Sequence, residues 1–204
     1  MKISDRISCD SFPCSDINRR AFMMPYVDID PAKIKIVMIS EAPPKNSADY
    51  FYESDGASYC ETTLQAFNDA GIPVKGMGDI VARGIYITTA VKCARTDYAV
   101  AAATVKNCSH LLEQELALFS HASVYLLMGD AAIKALNAIS RRNTGAPAIP
   151  AGSTYKIRAR QFYYNGIRVF PSYLQTGKNY LIEKSKREMI AQDLREAFKI
   201  ACGA

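Results

Sequence analysis

Short apolar runs alternate with amphipathic stretches along most of this chain. Runs that are rich in aliphatic residues and too short for typical helices predict strands over residues 34–39, 84–91, 123–128 and 167–170. Apolar residues at helical spacing predict helices over residues 58–70, 98–119, 130–139 and 182–201. This alternation predicts an α/β fold, a three-layer α/β/α sandwich with a central, mostly parallel four-stranded sheet.

A hairpin signal lies just before the last predicted strand. The segments 155–164 and 167–170 flank Asn165-Gly166, a pair that suits a type I′ turn. Three cations alternate along the first arm of this hairpin: Lys156, Arg158 and Arg160. If the arm is a strand they share one face, and that face is either solvated or follows a phosphate backbone.

Three of the predicted strands end in loops of unusual sequence, at residues 40–44, 92–96 and 171–177. Loops at the carboxyl ends of parallel strands meet at one edge of the sheet, where ligands bind in α/β folds. We therefore expect one site there with Glu41 at its mouth; the alternative is a solvated Glu41 at an ordinary strand exit. In the polar loop that follows, Tyr50-Phe51-Tyr52 indicates either a stacking role or packing onto the core.

Composition and charge narrow the class of protein. The chain has 204 residues, 49% of them hydrophobic and 22% charged, which predicts one globular domain over residues 1–204. No apolar run is long enough to span a bilayer, and the first thirty residues lack the apolar core of a signal peptide. We therefore expect a cytoplasmic protein without a membrane partner. The net charge of +5 is compatible with nucleic-acid binding but does not require it.

Six cysteines stand at positions 9, 14, 60, 93, 108 and 202. In a cytoplasmic chain, cysteines are expected to be thiols, metal ligands or cluster ligands before disulfides. The chain has only two histidines, which argues against a histidine-based metal site and leaves few candidates for a histidine base.

Four segments together resemble the motifs of the uracil-DNA glycosylase superfamily, in particular its iron–sulfur branch. The family's Gly-Glu-Ala-Pro-Gly motif is matched by Ser40-Glu41-Ala42-Pro43-Pro44, and its Asn-Val-Val-Lys-Cys strand end by Thr89-Ala90-Val91-Lys92-Cys93. Its Leu-Gly-x-x-Ala segment is similar to Met128-Gly129-Asp130-Ala131-Ala132, and its His-Pro-Ser motif to Phe170-Pro171-Ser172. The order and spacing agree over roughly residues 5 to 200.

The resemblance implies a base-excision repair enzyme that hydrolyses the N-glycosidic bond of uracil, or of another damaged base, after the nucleotide is flipped from DNA. It implies Glu41 as the catalytic residue and DNA as the partner of a monomeric protein. The residues implied to bind the base are Ala42, Pro43, Phe51, Thr89 and Phe170. Those implied to contact DNA are Ser172, Leu174 and Lys178. Glu41, Phe51, Thr89 and Phe170 are then expected to line one pocket.

The resemblance also implies a 4Fe–4S cluster held by Cys9, Cys14, Cys93 and Cys108, with residues 1–30 as the cluster-binding segment. The two N-terminal cysteines are separated by four residues, where the family usually has two. A zinc site with four cysteine ligands is therefore an alternative.

Two departures from the family pattern bear on catalysis. Thr89 stands where the family has an Asn that contacts the uracil edge, and a single hydroxyl cannot replace an amide that both donates and accepts. Phe170 stands where the family has a His that stabilises the departing base, and a phenyl ring has no donor. We therefore expect weak or absent excision of uracil. Two alternatives remain: a catalytically impaired DNA-binding or damage-sensing member of the superfamily, and a metal-stabilised nucleotide-handling protein.

Overall fold

The computed structural model describes residues 1–11, 13–54, 56–97, 99–177 and 179–203. Its strands are β1 (Ile17–Phe22), β2 (Ile36–Ser40), β3 (Ile85–Thr89), β4 (Cys93–Arg95), β5 (Val124–Met128), β6 (Phe162–Tyr164) and β7 (Ile167–Ser172). Its helices are α1 (Ser58–Asp69), α2 (Met77–Ala82), α3 (Ala102–Leu116), α4 (Asp130–Thr144), α5 (Thr154–Ile157), α6 (Asn179–Ile182) and α7 (Lys184–Cys202). Among these residues, no helix combines the length and the apolar character needed to cross a membrane.

The central sheet has the strand order β3-β2-β5-β7-β6. The strands β3, β2, β5 and β7 are parallel, and β6 pairs antiparallel with β7. The predicted fold class is confirmed. The described sheet has five strands rather than the four that were predicted, because the first arm of the hairpin joins it as the edge strand β6.

Helices cover both faces of this sheet, and alternate residues of each strand point to opposite faces. On one face Val37 and Leu127 pack with α3, α4 and the N-terminal segment. On the other face Met38 and Leu126 pack with α1 and α7. The four parallel strands are therefore buried on both sides, which explains why their sequences are nearly continuous apolar runs.

The first arm of the predicted hairpin is extended only at its end and begins as a helical turn. Residues 154–157 form the short helix α5, and the strand begins only at Phe162. Lys156, Arg158 and Arg160 therefore do not share a strand face. Arg158 instead reaches α7, where its guanidinium lies 2.6 Å from a carboxylate oxygen of Asp193. This buried contact selects the helical turn over the local alternation of the sequence.

A second, two-stranded sheet was not predicted from the sequence. It pairs β1 antiparallel with β4 and attaches the N-terminal segment beside the loop that follows β3. The segment is also held by the core, because Ile3, Ile7 and Ile17 are buried in the cluster that α3 and α4 cover. These three isoleucines therefore anchor the N-terminal segment to the main sheet and its helices.

Candidate active site

A cleft of about 630 Å³ opens at the carboxyl edge of the parallel sheet. Its walls include Glu41 and Ala42 after β2, residues 129–131 after β5, and residues 172–174 at the end of β7. These three strands run in the same direction, so their carboxyl ends lie at the same edge. The loops meet there, as the sequence predicted, and Arg95 adds a cation from β4.

Glu41 lies in the cleft wall against the N-terminus of α4. A Cβ atom on Gly129 would lie 2.6 Å from Oε1 of Glu41, so the absence of a side chain at Gly129 is what admits the carboxylate. The backbone N–H of Ala131 donates to the same oxygen at 3.4 Å. The positive end of a helix dipole favours a negative charge at this position. Glu41 is therefore a positioned carboxylate that faces the cleft.

The exit of β2 is held by backbone hydrogen bonds on both sides of Glu41. The N–H groups of Ala90 and Val91 donate to the carbonyls of Ser40 and Glu41 at 2.8 and 3.0 Å. The N–H of Arg95 donates to the carbonyl of Pro43 at 3.3 Å. These bonds join the loop after β2 to the loop after β3 and fix the direction of the Glu41 side chain.

Of the residues predicted to bind a base, Ala42 lines the cleft, whereas Pro43, Phe51, Thr89 and Phe170 are buried. Phe51 is fully buried in the core, where its ring meets that of Tyr59 edge-on at 5.2 Å. The predicted pocket that joins Glu41 to Phe51, Thr89 and Phe170 is therefore not open in this structure.

Phe170 lies below the edge of the sheet because β7 continues beyond it to Ser172. Phe170 is level with Leu126 of β5, which is level with Met38 of β2. Its ring joins the core beneath α1 and α7 and lies under the guanidinium of Arg168, with the guanidinium carbon 4.1 Å from the ring centre. Glu41 and Phe170 thus lie toward the same edge, at different depths.

Polar atoms without hydrogen-bond partners are buried behind this edge. Among the described residues they are the side-chain oxygens Ser40 Oγ, Tyr50 Oη, Thr89 Oγ1 and Gln175 Oε1. Ser40 and Thr89 are register partners in β2 and β3, so they point to the same face. Burial raises the pKa of Tyr50 well above its usual value, and the nearby Thr89 hydroxyl partly offsets this without forming a hydrogen bond of normal geometry. From the sequence, Ser40 and Gln175 had no assigned role, and Tyr50 was expected to act only through its aromatic ring.

Ser172, predicted to contact DNA, is buried at the cleft and uses its hydroxyl internally. That hydroxyl donates to Oδ2 of Asp193 at 2.6 Å, and Arg158 donates to the other oxygen of the same carboxylate at 2.6 Å. Burial raises the pKa of Asp193, while the bonds from Ser172 and Arg158 act to lower it. Leu174 is half-buried in the cleft wall, and Lys178 lies outside the described residues.

The sequence as a whole matches one protein family over most of its length. Residues 27–196 match the family model described as the uracil DNA glycosylase superfamily. The chain belongs to this superfamily. No curated protein matches the chain. The matched range contains every residue that lines the cleft, so the cleft is built from segments of the uracil DNA glycosylase domain.

Two of the four cysteines that the iron–sulfur branch would use lie outside the uracil DNA glycosylase match. Cys9 and Cys14 precede residue 27, whereas Cys93 and Cys108 fall within it. Burial, with smaller contributions from the neighbouring Cys108, Cys9 and Cys14, raises the pKa of the Cys93 thiol to about 12. The thiols of Cys108, Cys9 and Cys14 are therefore near enough to Cys93 to act on its charge.

The four cysteines supply the right donor atoms for a metal, but they are not arranged as a metal site in this structure. Four thiols are the donor set of an iron–sulfur cluster or of a structural zinc site. The backbone N–H of Lys92 donates to the sulfur of Cys108 at 3.2 Å, a contact that also suits a thiolate ligand. Within the described part of the chain, however, no three His, Cys, Asp or Glu side chains are gathered closely enough to hold an ion.

A buried ion pair lies directly beneath the loop after β3. The ammonium of Lys92 lies 2.5 Å from a carboxylate oxygen of Glu115 on α3, and both side chains are fully buried. Tyr86 and Thr88 donate to the same carboxylate at 2.8 and 2.9 Å. Lys92 also donates to the carbonyl of Thr89 at 2.5 Å. This network connects the end of β3 to α3, and its partner Glu115 was not identified from the sequence.

Proposed function

We propose that the chain is a base-excision DNA glycosylase, which hydrolyses the N-glycosidic bond of uracil or of another damaged base flipped out of DNA. The observation that carries this proposal is the superfamily match over residues 27–196. The cleft supports it, because ligand sites of α/β proteins lie beyond the carboxyl ends of parallel strands. Its volume of about 630 Å³ is in the range of small-molecule sites.

Nucleotide flipping, bond hydrolysis and base contact each have a candidate group at the cleft. A glycosidic bond inside stacked DNA is inaccessible, so the nucleotide has to leave the stack. Leu174 on the cleft wall is the candidate for the side chain that fills the gap. Glu41 is the candidate to orient the attacking water or to offset positive charge that develops on the sugar. The main-chain groups of residues 41–44 would contact the base.

The buried polar atoms behind the cleft could contribute to binding of a base. An unpaired buried polar group costs about 1–3 kcal/mol. The hydroxyls of Ser40, Tyr50 and Thr89 are in this condition, so a polar base edge that reached them would recover part of that cost. Stacking of the base on Phe51 would require the loop 45–56 to move, because the ring is fully buried.

An oligonucleotide panel tests this proposal. The anaerobically purified protein is given single-stranded and duplex oligonucleotides that contain uracil, hypoxanthine or xanthine, and the free base is measured. We expect one of these bases to be released. Uracil release should be slower than in a superfamily member that has Asn and His at the positions equivalent to 89 and 170. The missing His donor alone should lower the rate by a factor of about 10²–10³.

Glu41→Gln separates the proposed mechanism from a contaminating activity. The variant should lose base release, because the amide cannot accept a proton or carry the negative charge. Glu196→Gln, an exposed change on α7, is the matched control and should keep full release. Equal release by Glu41→Gln and the unmodified chain would refute the catalytic assignment. Absence of release from every oligonucleotide would refute the glycosylase.

A catalytically impaired, DNA-binding member of the superfamily is the second candidate. The observation that favours it is the position of Phe170, which is buried in the core and offers no donor to a departing base. This candidate predicts salt-dependent binding of damaged DNA without base release. Under it, Thr89→Asn combined with Phe170→His would create uracil release where the unmodified chain has none.

We also propose that residues 1–30 are a cluster-binding segment, in which Cys9 and Cys14 join Cys93 and Cys108 around a 4Fe–4S cluster or a zinc ion. When bound, the metal group would cross-link the N-terminal segment to β4 and α3. Equal amounts of iron and acid-labile sulfide would indicate the cluster, and zinc the alternative. Cys14→Ser should lose the metal, whereas Cys202→Ser, an exposed cysteine, should keep it. Full metal content in Cys14→Ser would refute the ligand set.

A further inference from the structure

A second cavity, of about 760 Å³, lies beside the cleft between the small sheet and the loop after β2. We call it the basic groove. Its lining residues are Ser15, Ile17, Asn18, Arg19, Arg20, Lys45, Arg95 and Thr96. Four of these described lining residues are cations and none is an Asp or a Glu. A concave surface with this charge favours a polyanionic ligand.

An irregularity in the small sheet presents two of the cations. Asn18 pairs with Ala94 and Phe22 pairs with Cys93, so residues 19–21 of β1 have no partners on β4. Extra residues of this kind bend a strand and redirect its side chains. Arg19 and Arg20 are both exposed at this irregularity. Nε of Arg19 donates to the carbonyl of Cys14 at 2.9 Å, which fixes the direction of its guanidinium.

The acidic residue closest in sequence to these cations is Asp16, and its carboxylate binds other groups. The carboxylate of Asp16 accepts the N–H of Ala101 at 2.6 Å and the hydroxyl of Thr104, both at the start of α3. Within the residues that the structure describes, Arg19, Arg20 and Lys45 form no ion pair with a carboxylate. The positive charges of Arg19, Arg20 and Lys45 are therefore not neutralised by an ion pair among these described residues.

The basic groove continues directly from the cleft. Arg95 lines both cavities, and Lys45 comes immediately after the loop 41–44 that forms the cleft wall. A DNA strand whose flipped nucleotide occupies the cleft would therefore extend past Arg95 to the cations of β1. Phosphate contacts of this kind fix the position of a strand without recognising its sequence.

We propose that the basic groove binds the phosphodiester backbone of the DNA strand next to the flipped nucleotide, with Arg20 and Lys45 as phosphate contacts and Arg19 as a pre-positioned third. The proposal rests on the proposed function, because it assumes that DNA is the ligand of the adjoining cleft. It assigns to the N-terminal segment a DNA-binding role in addition to its packing against the sheet.

Salt-dependent binding tests the basic groove without requiring catalysis. The affinity of the full-length protein for labelled oligonucleotides of normal bases is measured by fluorescence anisotropy over a range of salt concentrations. Each phosphate contact contributes about 0.9 to the slope of log K against log salt for duplex DNA, and about 0.7 for single strands. Arg20→Gln combined with Lys45→Gln should therefore reduce the slope by about 1.8 or about 1.4.

The matched control removes the same charge elsewhere. Lys33→Gln combined with Lys199→Gln neutralises two exposed lysines outside the basic groove and should leave the slope nearly unchanged. An equal slope in the groove variant and the unmodified chain would refute the proposal, as would an equal reduction in the control. If the groove variant kept its slope but lost affinity for deoxyuridine monophosphate, the groove would be a free-nucleotide site and the proposal would be wrong.

Failure of the groove proposal can be told apart from failure of the proposed function. If the salt dependence of DNA binding depends on the groove residues but no base is released, the groove proposal is supported and the glycosylase proposal is refuted. If base is released by a Glu41-dependent reaction while the salt dependence of DNA binding is unaffected by changes at Arg20 and Lys45, the glycosylase proposal is supported and the groove proposal is refuted.

Discussion

At the scale of single residues, the position of the Glu41 carboxylate depends on Gly129. Gly129 has a φ of +97° and a ψ of 176°, a backbone region that is essentially restricted to glycine. A Cβ atom there would also collide with the end of the Glu41 side chain. The carboxylate is flexible and the strand exit is not, so the side chain would move.

We therefore predict that Gly129→Ala impairs base release by displacing Glu41 and also destabilises the fold. The rate should fall toward that of Glu41→Gln, since both changes remove the carboxylate from its position. Single-turnover base release and urea unfolding measure the two effects separately. If the loss acts through Glu41, adding Gly129→Ala to Glu41→Gln should reduce the rate little further.

Gly145 at the other end of α4 provides the control. It also has a positive φ, +78°, but a Cβ there would meet nothing within 4 Å. Gly145→Ala should cost about 1–2 kcal/mol in the free energy of unfolding and leave base release unchanged. A rate in Gly145→Ala as low as in Gly129→Ala would show that lost stability, and not displacement of Glu41, impairs the reaction.

The sequence predicted Glu41 because a polar residue directly after a buried parallel strand has to emerge at the ligand edge. It also predicted that the loops after three strands share the site, but it wrongly placed Thr89 and Phe170 in the open cleft. Thr89 and Phe170 point toward α1 and α7 by strand alternation, and their depth depends on where β3 and β7 end. Those end points are set by pairing with β2 and β5, which a single motif does not reveal.

At the scale of elements, α3 is joined to the sheet through a buried charge. Glu115 is fully buried against Lys92 and accepts hydrogen bonds from two further side chains. Removal of one partner from a buried pair leaves the other charge uncompensated and typically costs about 3–5 kcal/mol. The two ionised groups are therefore sensitive to single changes even if the pair itself adds little net stability.

We predict that Glu115→Gln lowers the free energy of unfolding by about 3–5 kcal/mol, measured by urea denaturation. Glu113→Gln, on the same helix, should cost only about 0–1 kcal/mol, because its pair with Arg142 is partly exposed. Adding Lys92→Met to Glu115→Gln should restore part of the loss, since no unpaired charge then remains. A double variant less stable than Glu115→Gln alone would contradict this account.

Elements with strong local signals were predicted close to their observed bounds. The parallel strands and the helices α1, α3 and α7 have continuous apolar runs or stripes that need no partner to be recognised. By contrast β1 is largely polar, and its extended form depends on pairing with β4. The helix α5 replaced a predicted strand for the same kind of reason, because the contact of Arg158 with Asp193 is made across the fold.

At the scale of the whole molecule, helices that cover one face of the sheet are joined by contacts between distant parts of the chain. Arg187 of α7 donates to both carboxylate oxygens of Asp69 on α1, at 2.8 to 2.9 Å, across a separation of 118 residues. Tyr180 donates to the same carboxylate at 2.8 Å. These contacts close the face of the sheet that contains the buried polar atoms of the candidate base pocket.

The pairing of Asp69 makes a testable pH dependence. Burial acts to raise the pKa of Asp69, but hydrogen bonds from Gln65, Arg187 and Tyr180 outweigh it and hold the pKa below its usual value of 3.8. A carboxyl group whose pKa is lowered by folding stabilises the fold above its unfolded pKa. That contribution is lost as the pH falls through the folded pKa.

Asp69→Asn should therefore lower the free energy of unfolding by about 1–3 kcal/mol at neutral pH, and the difference from the unmodified chain should shrink as the pH falls below about 4. Urea denaturation at pH 7, 5 and 3 measures it. Asp28→Asn, a change at an exposed carboxylate near the N-terminus, should have little effect at any of these pH values. A difference between Asp69→Asn and the unmodified chain that stayed constant down to pH 3 would mean that the Asp69 carboxylate is not stabilised by its partners on α6 and α7, and that α1 is joined to these helices by packing alone.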